Sequence, residues 1–247
     1  MKARMAAPRA LWLALVGLYE ETATLVGANL LWVLTNLPLF AILAAISLPF
    51  ANILEGSGPE WVLALIAWIL LFLPTPSSIA LQAVTTVAAG PDVPKLSLFW
   101  AALRSHWRRG LLCFVISLVI TGALLANVYF YAVFTTGVLR FATILWLYGA
   151  LFWFSMHVYV VPLYVHIGQP RLFDLYKRAA LIALGHPIFT LLLLLELLII
   201  GTLCLIFLPA YALIGPTYLA LVQAHAFREI RRRHGDLIEE VEEDVRL

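Results

Sequence analysis

The sequence predicts an all-α fold: a polytopic membrane helical bundle of six transmembrane helices, with two amphipathic interfacial helices on the inner side. Three observations predict it. The 247 residues are 63% hydrophobic and 12% charged, with a mean hydropathy of +0.97. Soluble domains hold about 45–50% apolar and about 25% charged residues. Six apolar runs, at 25–50, 61–89, 110–134, 139–166, 187–208 and 210–227, reach or approach the roughly 20 residues a spanning helix needs. They are continuous rather than alternating, so helices and not barrel strands are expected. Placing the N-terminus inside puts 15 of the 16 Lys and Arg residues on the inner side, leaving only Arg140 outside. The positive-inside rule asks for this bias.

Residues 1–24 read as an inner-face interfacial segment. Lys2, Arg4 and Arg9 precede an apolar stretch at 10–19 that resembles the core of a signal peptide, but Glu20 and Glu21 follow without a small-residue cleavage site. The transmembrane domain covers 25–227. Its first span carries Asn29, Asn36 and Pro38, and the outer connection 51–60 holds Glu55 and Glu60 but no base. The second span contains Pro74, Thr75, Pro76, Ser77 and Ser78, the strongest candidate for a helix break. Proline removes a donor and displaces the carbonyl four residues back, and nearby hydroxyls can satisfy what is freed.

Between spans two and three, Leu96, Phe99, Trp100, Leu103 and Trp107 share one helical stripe, with Lys95, Arg104 and Arg108 off it and Arg109 just beyond. This pattern predicts an amphipathic helix at headgroup level. Leu172, Leu175, Tyr176, Ala179 and Ala183 repeat the stripe between spans four and five, with Arg171, Lys177 and Arg178 mostly on the polar side. Pro94 and Pro170 precede the two stripes by two residues each, a register of 76. Spans two and three are therefore expected to repeat as spans four and five. Repeats of this kind occur in transporters, with sites between them. Pro209 marks either a tight outer turn before span six or a kink in one long buried segment. The tail 228–247 is basic through Arg228, Arg231, Arg232 and Arg233, then acidic through Glu239, Glu240, Glu242, Glu243 and Asp244.

The expected partners are the lipid bilayer, anionic lipid headgroups at the basic side, and a membrane-protein partner or a second copy of the chain. Nucleic acid is not expected, since no soluble basic domain is present. Inside the membrane, Glu196 stands out, because a carboxylate at mid-span costs roughly 2.5 kcal/mol or more on insertion scales. His157 lies at a similar estimated depth, which allows a Glu196–His157 hydrogen bond. It would serve as a proton relay, as a polar substrate contact, or as an interhelical tie. Asn36 is the deepest of the remaining amides. Cys113 and Cys204 sit roughly 20 Å apart in depth at 1.5 Å per residue, too far for a disulfide.

His157, His166 and His225 are candidate ligands for a haem or chlorophyll, but no haem motif accompanies them. The sequence contains no phosphate-binding loop, zinc-protease, nucleophile-elbow or dinucleotide motif, and no metal-ligand spacing. No cofactor, metal or catalytic residue is expected, and the chain is read as non-enzymatic.

Residues 29–38, Asn-Leu-Leu-Trp-Val-Leu-Thr-Asn-Leu-Pro, resemble the first-span signature of the YesL-like bacterial membrane proteins, a family of unknown function. The connection 90–110, with Phe99–Trp100 and the basic residues after it, is similar to that family's second landmark. Residues 159–163 followed by 172–187 are similar to its third. The likeness runs from about 18 to 227. It departs at the end of the first span, where a glycine- and threonine-rich stretch is not evident. The resemblance implies a five- or six-helix protein of the bacterial inner (plasma) membrane, here with both termini cytoplasmic. Members are often encoded beside sugar uptake systems, which implies an accessory role in carbohydrate transport and no catalytic residues.

Three functions are thus open: a transport accessory or subunit of a membrane complex, a small secondary transporter using Glu196 and His157, and a structural or pigment-holding subunit. The first predicts a solid core and an outer face of small residues, with Gly201, Thr202, Ala212 and Gly215 as candidates. The second predicts a hydrated cavity reaching Glu196.

Overall fold

The computed structural model describes residues 7–48, 59–168 and 170–233. Lys2, Arg4, Glu55 and the acidic tail, on which some of the expectations rest, lie outside them. Among the described residues all regular structure is helical, in the order α1 (Ala7–Glu20), α2 (Thr22–Ser47), α3 (Pro59–Phe72), α4 (Pro76–Ala88), α5 (Leu96–Val133), a 3-10 turn (Gly137–Phe141), α6 (Ala142–Ile167), α7 (Leu172–Gly185), α8 (Pro187–Ile206), α9 (Leu208–Leu213) and α10 (Gly215–Arg233).

Four helical stretches are long and apolar enough to cross a membrane: α2, α5, α6 with the turn before it, and α8. A fifth crossing results if α3 and α4, bent by 49°, count as one broken span. The burial pattern inverts that of a soluble helix. On α2, Leu30, Leu34, Leu37, Ile42 and Ile46 are exposed while Asn29 and Asn36 are buried. Apolar exteriors on helices of this length fit a membrane-embedded protein.

The sixth span expected over 210–227 is not one helix. It splits at Ile214 into α9 and α10. Pro216 explains the split, since it lacks an N–H and its ring crowds the carbonyl four residues earlier. The far half of α10 is also too polar to be a span, ending in Arg231, Arg232 and Arg233.

The first interfacial helix is likewise not separate. α5 is a single helix of 38 residues, about 57 Å long at 1.5 Å per residue. Nothing between Arg109 and Leu111 breaks it. Gly110, a natural boundary in the sequence, instead serves contact: a Cβ there would lie 3.0 Å from Pro76 Cα. The inward face of α5 runs through Phe99, Ala102, Gly110, Cys113, Phe114, Ser117 and Thr121. Trp100 and Trp107, placed on the same stripe as Phe99 by spacing, are exposed.

α7 does stand alone, with Leu175, Ala179 and Ala183 buried, because Pro187 ends it and opens α8. The 76-residue correspondence is therefore partial in structure. Its first copy fuses the amphipathic stretch to the span, and its second separates them. The α3/α4 break has no counterpart in α6, which runs unbroken through Pro162.

At the centre lie α4 and α10, packed on each other and flanked by α2, α5, α6 and α8. Ile79, Leu81, Val84, Leu221 and Val222 are buried there. α1 lies along α10: the Tyr218 hydroxyl donates to the Leu11 carbonyl at 3.1 Å, and Gly17 faces His225. The two helices therefore run in the same sense. Tight contacts are made by small residues, as expected where lipid supplies no hydrophobic drive. A Cβ on Gly201 would lie 3.0 Å from the Phe72 ring.

Candidate functional site

The polar interior is organised around two helix breaks, both held by α2. At the first, the chain leaves α3 at Leu73 and restarts at Pro76. Thr75 caps α4, its Oγ1 accepting the Ser78 N–H at 3.0 Å, and Pro76 occupies the first turn where a missing N–H does no harm. From α2, Trp32 Nε1 donates to Ser78 Oγ at 3.1 Å and Thr35 Oγ1 donates to Ser77 Oγ at 2.8 Å. The expected break at Pro74, Thr75, Pro76, Ser77 and Ser78 thus falls at Leu73–Thr75, and its hydroxyls bond across to α2 and to one another.

The second break, between α9 and α10, is tied by one fully buried amide. Asn29 Nδ2 donates to the Ala212 carbonyl at 2.7 Å and to the Tyr211 carbonyl at 3.2 Å. Its Oδ1 accepts the Thr217 N–H at 2.9 Å. Three backbone groups that the interrupted helix leaves open are thereby satisfied. Tyr211 continues the link, with its ring edge-on to Trp32 at 6.0 Å and its hydroxyl donating to the Ala67 carbonyl of α3.

The two breaks also share a sequence signal. Phe-Leu-Pro at 72–74 recurs at 207–209. Pro-Ser-Ser-Ile-Ala-Leu-Gln-Ala at 76–83 matches Pro-Thr-Tyr-Leu-Ala-Leu-Val-Gln-Ala at 216–224 with one residue inserted. The 76-residue register does not contain this likeness, and comparing the two proline clusters would have revealed it.

Between the restarted helices lies a cavity of about 30 Å³, lined among others by Trp32, Ser78, Gln82, Leu197, Pro216 and Gln223. It has room for one or two waters. Gln82 Nε2 donates to the Ala220 carbonyl at 3.3 Å, joining α4 to α10. Its Oε1 is buried without a hydrogen-bond partner among the described residues. Asn36, one turn beyond Trp32, donates to the Trp32 carbonyl at 3.0 Å, and its Oδ1 is also without a partner.

A second polar group joins α5, α6 and α7. His157 is buried, with Nδ1 at 2.9 Å from the Trp153 carbonyl and Nε2 at 3.1 Å from Ser117 Oγ. A carbonyl can only accept, so Nδ1 carries the proton and Nε2 accepts from Ser117. Ser117 Oγ in turn accepts from the Tyr176 hydroxyl at 2.6 Å. The Cys113 carbonyl, at 3.3 Å, is a weaker second acceptor for that hydroxyl. Burial, with the Cys113 thiol beside it, raises the Tyr176 phenol well above its ordinary range, so it remains a donor. The chain of bonds is closed at both ends.

The Glu196–His157 hydrogen bond that depth allows is therefore not formed, since both imidazole nitrogens are committed elsewhere. Glu196 is half-buried on α8, on the side of Tyr218 in α10. Its Oε2 is without a hydrogen-bond partner among the described residues, and it does not line the central cavity. Asn36 bonds to neither. Tyr176, expected at the headgroup level, is instead turned into the bundle. Trp100, Arg104, Trp107, Arg108, Arg109 and Lys177 are exposed, and Arg178 is half-buried. The small residues expected on an outer face are mostly internal. Gly201 meets α3, Gly215 meets Cys204, and the Ala212 carbonyl accepts from Asn29. Thr202 alone is exposed. Cys113 and Cys204 are free thiols.

In comparison with known proteins, no family model, no curated protein and no solved structure matches this chain.

Proposed function

We propose that this chain is a non-enzymatic, multi-pass membrane protein that serves as an accessory to a transport system or as a subunit of another membrane complex. One observation carries the reading: the two broken helices, where a transporter's site would be built, leave little space between them. The bundle's polar side chains are mostly spent on tying helices to one another, and the space between the two broken helices is about 30 Å³. A transported solute needs far more, since ligand pockets run to roughly 300–1,000 Å³. The resemblance to YesL-like proteins adds the expectation that the transport assisted is carbohydrate uptake, in a bacterial inner membrane with both termini cytoplasmic.

A small secondary transporter is the second reading. The paired broken helices favour it, because discontinuous helices build transporter sites. Against it, Glu196 and His157 are not hydrogen-bonded to each other and neither lines the cavity. A pigment-holding subunit gains no support from His157, whose ring nitrogens are both bonded.

The deciding experiment is affinity purification from native membranes in mild detergent, with native mass and an absorption spectrum recorded on the product. A colourless, stoichiometric complex with a second membrane protein is expected. A lone protein that drives proton-coupled uptake, lost in Glu196→Gln, would replace this reading with the transporter.

A further inference from the structure

The end of the bundle where α4, α6 and α10 finish contains a cavity of about 270 Å³. None of the polar ties described above uses it. Two guanidiniums line it, Arg228 and Arg231, three apart on α10 and so on one face of that helix. Both residues are exposed. Arg231 donates to His166 Nδ1 at 3.2 Å, which steadies it beside α6. Arg228 lies over Gly90, where an added Cβ would come within 3.5 Å of the guanidinium. Among the described residues neither arginine is paired with a carboxylate. Asp92 lines the same cavity without bonding either, and Phe227 and Pro162 supply apolar surface.

The cavity thus presents two positive charges and one negative, a formal excess of one. Guanidiniums bind phosphate oxygens through paired, charge-assisted hydrogen bonds. A carboxylate accepts hydrogen bonds, so Asp92 suits a ligand that brings hydroxyl donors. Basic pockets between helices on the positively charged side of membrane proteins take lipid headgroups in this way.

We propose that this cavity binds a monoanionic phosphodiester with a hydroxyl-bearing headgroup, of the phosphatidylglycerol kind. Arg228 and Arg231 hold the phosphate, Asp92 accepts from the headgroup hydroxyls, and Phe227 and Pro162 meet the glycerol and the start of the acyl chains. The proposal rests on the membrane-embedded reading but not on the accessory role, so the purification experiment and this one fail separately.

The test is native mass spectrometry of the full-length protein, equilibrated in turn with phosphatidylglycerol, phosphatidylethanolamine and phosphatidylcholine. We expect one phosphatidylglycerol to be retained roughly tenfold or more over phosphatidylcholine. The Arg228→Gln/Arg231→Gln pair should abolish that preference, and Asp92→Asn should reduce it. The control is Arg140→Gln, which removes an exposed charge outside the cavity, in the turn between α5 and α6, and should leave retention unchanged. Deacylated glycerophosphoglycerol distinguishes the sources of the phosphate. Competition by it at equal concentration assigns the site to a soluble phosphodiester, and failure to compete assigns it to the lipid. Retention that survives Arg228→Gln/Arg231→Gln, falls equally in the control, or is the same for phosphatidylethanolamine would overturn the proposal.

Discussion

Asn29 does for α9 and α10 what neither helix can do for itself. One side chain serves two carbonyls and one N–H at a site closed to solvent. Replacing it with leucine fills similar volume but leaves all three groups unpaired. Unsatisfied buried groups cost about 1–3 kcal/mol each, and partial relaxation offsets some of that. Asn29→Leu is therefore expected to destabilise by roughly 2–4 kcal/mol, read as a fall in the thermal midpoint in detergent by tryptophan fluorescence. Asn127→Ala is the contrast. That side chain only bonds the Ala123 carbonyl of its own helix, so its change should stay within about 0.5 kcal/mol. Equal effects from the two would show that the α9/α10 break does not depend on Asn29. The sequence drew attention to Asn36 and Glu196 by depth, but depth does not reveal partners. The groups that Asn29 bonds are 182 to 188 residues away, and only the fold brings them together.

At the scale of elements, local chemistry was legible and continuity was not. The Pro74 break could be read because proline acts on its own helix. The stripe of α7 could be read because spacing decides its face. The fusion of α5 could not, because a basic amphipathic stretch meeting an apolar run at a glycine looks like a boundary. In the structure that glycine lies inside the helix and gives α4 room to approach, a tertiary fact. Gly110→Val should push α4 away at Pro76 and Ile79, destabilising by about 1–3 kcal/mol as overpacking does. Gly122, on the same helix, has nothing within 4 Å of an added Cβ. Gly122→Ala should be neutral, or stabilising by up to about 1 kcal/mol through helix propensity. Paired chemical-denaturation curves check both, and tolerance of Gly110→Val would refute the close α4–α5 contact.

For the whole molecule, the charge bias predicts that Arg140 faces the outside and Arg231 the inside. In a background with Cys113 and Cys204 replaced by alanine, a membrane-impermeant maleimide should label Arg140→Cys in intact cells. Arg231→Cys should label only after permeabilisation, and the reverse pattern would invert the topology. The membrane character of the chain was legible because composition is a property of the whole. The count of crossings was not, since the runs that read as full spans are interrupted: α4 has only 13 residues after its break, α9 only 6, and α10 turns polar in its far half. Their reliance on α2 has a consequence for biosynthesis. α2 leaves the ribosome before its partners, and the backbone that Asn29 must bind is made more than 180 residues later, roughly 10–40 s at ordinary translation rates. Until then the Asn29 amide is held by water at the insertion channel or strands in hydrocarbon. α2 therefore cannot settle until α9 and α10 arrive.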